Sequence, residues 1–333
     1  MALSPLQTRT LGKTGLAVTE LSLGGLFVAS WFSEEDPAVA AVHRAIELGV
    51  NYIDTAPGYG NSEEVLGKAL EGIEAPLVIS TKLGARPQPF NAQDADALLF
   101  SIDESLRLLK RDTIDILMIH EPDRPGQFDW WSDWAKVDGP VFGVLDRLKR
   151  EGIIKYTGLG GTTAYEIARI MRTGKFDVVL TAFNYSLLWR EAEIDVLPTA
   201  KALGMGVVIG SPLQQGALAR RYDDQVNNGA LWLSSPRRKQ YQALYAFLDE
   251  LGMSLPEAGL RFVISNPDIS CVLMGARSPE EVEQNAAAVT KGPLPADVLT
   301  RLNEIAAMVP FRPFEEPFGL PFSNPDYKGP GQA

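Results

Sequence analysis

Residues able to move a proton stand at or just beyond the ends of three successive strand-like runs. The stretch Asn51-Tyr52-Ile53-Asp54-Thr55-Ala56-Pro57-Gly58-Tyr59-Gly60 carries β-favouring and apolar residues into an aspartate, then a Pro-Gly turn and a tyrosine. It reads as a buried strand that delivers Asp54 at its C-terminal end and presents Tyr59 on the following loop. A carboxylate in such a place is expensive to bury without a partner. The next run, 77–82, ends in Lys82, and the one after it, 114–120, ends in His120. The four types suit one task. A phenol with an ordinary pKa near ~10 is a poor acid at neutral pH. An ammonium beside it favours the phenolate and lowers that pKa. An aspartate keeps the lysine charged and in place, and a neutral histidine can donate a hydrogen bond to a substrate oxygen. Together they could protonate a carbonyl oxygen as hydride arrives, or deprotonate an alcohol as hydride leaves. A lone His120 would read as a packed core histidine; the other three residues in register are what give it a chemical role.

The elements that must position these residues repeat along the chain. Two short strand-like pieces around Gly12-Lys13-Thr14-Gly15 predict a small N-terminal hairpin. The main fold begins at Leu21-Ser22-Leu23-Gly24-Gly25, followed by a helical pattern from Pro37 to Gly49. Strand and helix patterns then alternate: strands over 51–54, 77–82, 114–120, 155–160, 178–185 and 206–211, helices over 63–70, 93–109, 141–150, 163–172, 194–203 and 237–251. An extra helix over 256–264 precedes the last strand, 271–274, and a final helix starts at Pro279. The strands are continuous apolar runs, as in a parallel sheet covered on both faces. Eight such units predict an α/β fold of the (β/α)₈ TIM-barrel type, and residues at strand C-terminal ends of such a barrel face the active site. A doubly wound open sheet is the alternative, but Gly24-Gly25 lacks the glycine-rich fingerprint expected after its first strand. No linker divides residues 1–333, so one domain is expected, with the Pro-, Phe- and Gly-rich tail from Pro310 to Ala333 as a cap over one end of the barrel.

Composition narrows the partners. The 333 residues, 45% hydrophobic and 22% charged, match a globular chain with a large core. A formal net charge of −11 argues against nucleic acid, which needs a basic face. No signal-peptide pattern and no membrane-length apolar run is present, and the single cysteine, Cys271, cannot form an internal disulfide. The expected location is cytoplasmic, with no membrane partner and with homo-oligomerisation left open.

The sequence resembles the aldo-keto reductases over nearly its whole length. The resemblance rests on Gly-Val-Asn-Tyr-Ile-Asp-Thr-Ala-Pro-Gly-Tyr-Gly (49–60), Ser-Thr-Lys (80–82), Asp-Ile-Leu-Met-Ile-His (115–120), Gly-Ser-Pro-Leu (210–213) and Gly-Ala-Arg-Ser-Pro-Glu-Glu-Val-Glu-Gln-Asn (275–285). It implies a (β/α)₈ barrel, a nicotinamide cofactor bound without a Rossmann domain, and a catalytic tetrad Asp54, Tyr59, Lys82 and His120 with Tyr59 as general acid/base. It implies no metal. Segments 183–186, 210–213 and 282–290 look most like the sugar-active branch, so the expected substrate is a small carbonyl compound such as an aldehyde, a ketone or an aldose. A second reading stays open: a cofactor-binding regulatory subunit like the reductase-like subunits of potassium channels, with vestigial chemistry.

Two segments are candidates for the cofactor. Ser211, Pro212, Leu213, Gln215 and Gly216 belong to a loop after a strand, and the backbone N–H groups of that loop could cradle a pyrophosphate. Gly275 to Asn285 runs into a helix start, where amides and dipole favour a phosphate. By resemblance Gly275, Ala276, Arg277, Ser278, Glu281 and Asn285 surround the adenosine end. Departures from the family pattern are visible: Gly160 and Gly161 where many members carry Ser-Asn, Gly210 where many carry an aromatic, and Glu281 where many NADPH-specific members carry an arginine. Arg277 favours a 2′-phosphate and Glu281 a ribose hydroxyl; the balance leans to NADPH, with NADH possible. Trp31, Phe128, Trp130, Trp131, Trp134, Trp189 and Trp232 fall largely in loops, either packing them or offering aromatic faces to a substrate. Arg124, Arg220, Arg221 and Arg312 are mostly solvated loop or tail residues. His43 reads as structural and Cys271 as a small buried residue.

Overall fold

The structure, a computed structural model, describes residues 4–311. Eight parallel strands close into a barrel: β3 (Leu21–Gly24), β4 (Tyr52–Asp54), β5 (Val78–Leu83), β6 (Ile114–His120), β7 (Ile154–Gly161), β8 (Val178–Ala182), β9 (Gly206–Gly210) and β10 (Cys271–Met274), with β10 pairing back onto β3. Two antiparallel strands, β1 (Thr8–Thr10) and β2 (Ala17–Thr19), precede it as the expected hairpin. The helices α1 (Glu35–Glu47), α2 (Ser62–Ala69), α3 (Ala95–Leu109), α4 (Val141–Arg150), α5 (Ala164–Met171), α6 (Val196–Leu203), α7 (Asp223–Asn228), α8 (Ser235–Leu251), α9 (Leu255–Ile264), α10 (Pro279–Val289) and α11 (Ala296–Ala307) complete the described chain. No helix among the described residues is long and apolar enough to cross a membrane.

Strands buried on both faces explain the continuous apolar runs. One face packs inside the barrel, where Tyr52, Ile116, Met118, Val178, Leu180, Val208 and Leu273 form one cluster. The other packs under the helices in a larger cluster. The hairpin joins the inner cluster through Leu11 and Val18, both fully buried. Leu11 lies against Gly206, where a Cβ would come within 2.7 Å of its side chain, and the Lys13 N–H donates to the Gly204 carbonyl at 2.7 Å. The hairpin thus plugs the end of the barrel at which β9 begins, opposite the strand ends that carry the candidate chemistry.

Two strands stop earlier than their composition predicts. The run over 178–185 pairs only to Ala182 because Phe183 turns left-handed at φ 68°, and the run over 206–211 stops at Gly210 because Ser211 does the same at φ 50°. The pattern did not anticipate α7 or α11. The expected capping tail lies outside the described residues apart from its first two positions.

Helix α2, which follows the Tyr59 loop, meets α3 at Gly67, where a Cβ would stand 1.9 Å from the Leu108 carbonyl oxygen. The helices touch because no side chain separates them. Gly67→Ala is expected to destabilise the fold by about 1–3 kcal/mol through overpacking. A urea midpoint lowered at unchanged slope would report it.

Candidate active site

Asp54 and Lys82 end adjacent parallel strands, and both side chains are buried. The Lys82 ammonium donates to Asp54 Oδ2 at 2.7 Å and to the Thr55 carbonyl at 2.8 Å. Asp54 Oδ1 accepts from the Ser80 hydroxyl at 2.6 Å, and Ser80 shares a 2.9 Å hydrogen bond with the Tyr52 hydroxyl. Burial works against the lysine's charge, but the Asp54 carboxylate and the Tyr59 oxygen outweigh it and hold the pKa above its ordinary value. The ammonium therefore persists at every physiological pH.

Tyr59 stands on a tight turn whose geometry is set on both sides. Its N–H donates to the Ala56 carbonyl, and its own carbonyl accepts from the Ser62 N–H, each at 3.0 Å. Ser62 in turn bonds the Thr55 hydroxyl and the Gly25 carbonyl, fastening the start of α2 to neighbouring strand ends. Gly60 continues the turn at φ 57°, and the exposed Trp31 ring lies against it. This turn carries the phenol toward the lysine: the ammonium is 4.7 Å from the centre of the Tyr59 ring. The phenol also faces the His120 ring edge-on, with centroids 5.7 Å apart. The electrostatic balance on the phenol differs from the sequence-based expectation. Burial raises its pKa, Lys82 lowers it by charge and by hydrogen bonding, and the net result lies above the ordinary tyrosine value because Asp54 also opposes ionisation. Lys82 does pull in the expected direction; burial pulls harder.

His120 ends β6 beside Gly160 of β7. Its carbonyl accepts from the Trp130 indole N–H at 2.9 Å, and its Nδ1 is buried without a partner among the described residues. Burial, then the charges of Lys82 and Arg124, push its pKa down to about 3. The ring is neutral near pH 7, so one nitrogen donates and the other accepts. The sequence offered no signal for Trp130 as the residue that holds the histidine backbone, since an indole partner is invisible until the loop folds back. Trp130, Trp131, Trp189 and Trp232 are buried packing residues, whereas Trp31 is 62% exposed at the mouth. His43 bonds the Ala69 carbonyl, and Cys271 is buried in β10 with its thiol pushed up to about 12 by burial, matching the structural readings of both.

The two candidate cofactor segments flank the same end of the barrel. In the loop after β9, Ser211, Gln214 and Gln215 are left-handed in succession with Gly216. The Gln214 and Gly216 N–H groups donate to the carbonyls of Ser211 and Leu213, so these two amides are engaged within the loop. Pro212 is buried, Leu213 half-buried and Gln215 exposed. After β10, Gly275 admits the Phe27 ring, whose nearest atom would be 2.4 Å from a Cβ there. Ala276 is buried, and Ser278 caps α10 by accepting from the Glu281 N–H. Glu281 reaches back: its carboxylate accepts from the Arg277 N–H at 2.9 Å and from the guanidinium at 2.8 Å. Asn285 follows one helical turn later, half-buried. Arg277 and Glu281, expected to act in opposition, form one ion pair. Arg220 lies over the Tyr222 ring, Arg221 pairs with Asp223 and Asp249, and Arg312 falls outside the described residues.

A closed parallel barrel with a buried lysine–aspartate pair under a tyrosine and a histidine at its strand ends defines a barrel oxidoreductase. The family model for the aldo/keto reductase family matches residues 20–307, and the chain belongs to that family, whose members work with a nicotinamide cofactor. It is similar to the L-galactose dehydrogenase of Arabidopsis thaliana, 32% identical over 300 residues, covering 87% of this chain and 90% of the relative. It is also similar to a D-threo-aldose 1-dehydrogenase of a Pseudomonas species, 28% identical over 82% of this chain and 89% of the relative. In fold it matches an aldo-keto reductase of Bacillus halodurans in its holo form, with TM-score 0.71 and 24% identity over 94% of this chain and all of that one.

The depressed His120 pKa ties stability to pH. The folded state excludes a proton that the unfolded state binds below about 6.5. This contribution is present in full above that pH and is lost as the pH falls toward about 3. The wild type should therefore lose stability on acidification through this window faster than His120→Gln, as followed by thermal melts at successive pH values. Parallel curves would contradict the assignment.

Proposed function

We propose that the protein interconverts a carbonyl group and an alcohol by hydride transfer, with Tyr59 as the proton donor and acceptor and with aldose sugars as its substrate class. The observation that carries this reading is the buried Lys82 ammonium, anchored on Asp54 and Thr55 beneath the Tyr59 ring and beside a neutral His120. A bound reduced nicotinamide supplies the hydride. His120 donates a hydrogen bond to the substrate oxygen and orients it. Tyr59 gives that oxygen a proton as negative charge develops, and Lys82 stabilises the phenolate left behind. Asp54 keeps Lys82 charged and immobile. The phenol keeps its proton because burial opposes ionisation more than Lys82 favours it, and Lys82 is the group that lowers the cost of giving that proton up. Similarity to two enzymes whose names denote sugar oxidation supports aldoses as substrates.

Ser211, Pro212, Leu213, Gln215 and Gly216 form the wall for the pyrophosphate, and Gly275, Ala276, Arg277, Ser278, Glu281 and Asn285 the wall for the adenosine end. The residues fit a nicotinamide dinucleotide, with one qualification of kind. The lean toward NADPH assumes an Arg277 available to a 2′-phosphate. With its guanidinium and N–H both held by Glu281, the same place presents a carboxylate to an incoming phosphate and an acceptor to a ribose hydroxyl. NADH is then used at least as well as NADPH.

Tyr59→Phe is expected to cut turnover by about 10²–10⁴-fold while reduced cofactor still binds, as seen by fluorescence titration alongside absorbance of the reduced nicotinamide. Full turnover in that variant would remove Tyr59 from its role. Glu281→Gln frees Arg277 and should shift the ratio of dissociation constants toward NADPH by about tenfold, the size of one charge-assisted hydrogen bond. An unchanged ratio would mean that the pair does not read the ribose.

A further inference from the structure

The residue after His120 has an uncommon backbone. Glu121 is left-handed at φ 49°, a conformation disfavoured for a side chain with a Cβ. Such geometry persists where the surroundings dictate it, and it clusters at functional sites. Here the dictating contact is the Glu121 N–H, which donates to the Gly160 carbonyl at 2.6 Å and so extends the β6–β7 pairing past His120. The side chain is not turned out into solvent: only 15% of it is exposed. Its Oε1 accepts from the Arg124 guanidinium at 3.0 Å, while Oε2 has no partner among the described residues. Both charges reach the candidate catalytic groups. Glu121 opposes ionisation of the Tyr59 phenol, and Arg124 disfavours a charge on His120. Glu121 directly follows His120 at the C-terminal end of β6 and is bonded to Gly160 of β7, which puts the pair at the barrel mouth where the strand ends face the site.

A carboxylate with one committed and one uncommitted oxygen, next to a half-exposed guanidinium, offers acceptors and donors side by side. Adjacent hydroxyl groups need that combination, since each presents both a donor and an acceptor. A carbonyl compound whose oxygen is held by Tyr59 and His120 would carry its next carbons toward this rim. We propose that Glu121 and Arg124 form the subsite that selects polyhydroxylated substrates, Glu121 accepting from and Arg124 donating to the hydroxyls nearest the reacting carbon. This rests on the catalytic reading of Tyr59 and His120 given above and adds to it the group that distinguishes a sugar from a plain aldehyde.

The test uses two aldehydes of equal carbon number, glyceraldehyde and propanal, which differ by two hydroxyls. With the wild type, kcat/KM should favour glyceraldehyde by more than about tenfold, the worth of hydrogen bonds to charged groups. Glu121→Gln and Arg124→Gln should each lower the glyceraldehyde-to-propanal ratio by about tenfold, mainly through KM. Glu121→Gly should lower it as far while melting at or above the wild-type temperature, because glycine accepts the left-handed backbone. A ratio unchanged in all three variants, or both substrates losing equally, would overturn the subsite and leave the pair as an ordinary salt bridge. A wild type that turns over propanal but shows no preference for glyceraldehyde overturns it too, with the catalytic reading intact. A wild type inert toward both removes the catalytic reading, and this subsite with it.

Discussion

Holding an ammonium and a carboxylate together out of water is the constraint on which the rest of the site depends. Desolvating two charges costs several kcal/mol per ion, and their attraction offsets that only when the remaining donors and acceptors are satisfied as well. Lys82 and Asp54 meet this condition because other strand-end groups complete them: the Thr55 carbonyl for the ammonium, and the Ser80 hydroxyl, itself braced by Tyr52, for the carboxylate. An i,i+4 pair on a helix could not be closed off in this way. The barrel can do it because parallel neighbours bring consecutive strand ends to one level, here Asp54 beside Ser80.

From that pair the chemistry spreads by charge rather than by contact alone. The ammonium draws the Tyr59 phenol toward ionisation and drives the His120 ring to stay neutral. Both pulls are toward losing a proton; burial adds to the pull on His120 and outweighs it on Tyr59, which leaves a protonated phenol and a neutral ring side by side. Paired charges reappear after β10, where Arg277 and Glu281 neutralise each other at a candidate cofactor position. At the rim, Glu121 and Arg124 form a third pair, more hydrated and correspondingly weaker.

Much of the scaffold serves to hold short loops still. The Tyr59 turn is fixed through Ser62, Thr55 and Gly25. Behind it, Glu63 accepts from the Thr81 hydroxyl at 2.6 Å and pairs with Arg86, which also donates to Ser105 on α3. That buried pair links the start of α2, the residue before Lys82 and the loop after β5 into one unit. The network ties its neighbours together through its charged and hydroxyl groups, with Arg86 Nε left buried without a partner among the described residues.

How much was legible in the chain follows from how local each cause is. Alternating strand and helix patterns, and the placing of Asp54, Lys82 and His120 at strand ends, are properties of short windows, so the barrel, and which side chains it brings to one end, could be read directly. Strand ends were misjudged at Phe183 and Ser211, where apolar composition continues but the backbone turns left-handed. The partnership of Arg277 with Glu281 was available as an i,i+4 spacing, yet whether the two ions meet or compete for a ligand depends on where a loop leaves β10. Other features belong to the folded molecule alone: Leu11 seated against Gly206, Trp130 holding the His120 carbonyl, and the net upward shift of the Tyr59 phenol. Each is a sum over groups brought from distant parts of the chain. Desolvation in particular has no value until every strand and loop that excludes water is in place. Residue types and their order therefore settled which groups meet at the barrel mouth, and tertiary burial decided how strongly each holds its proton.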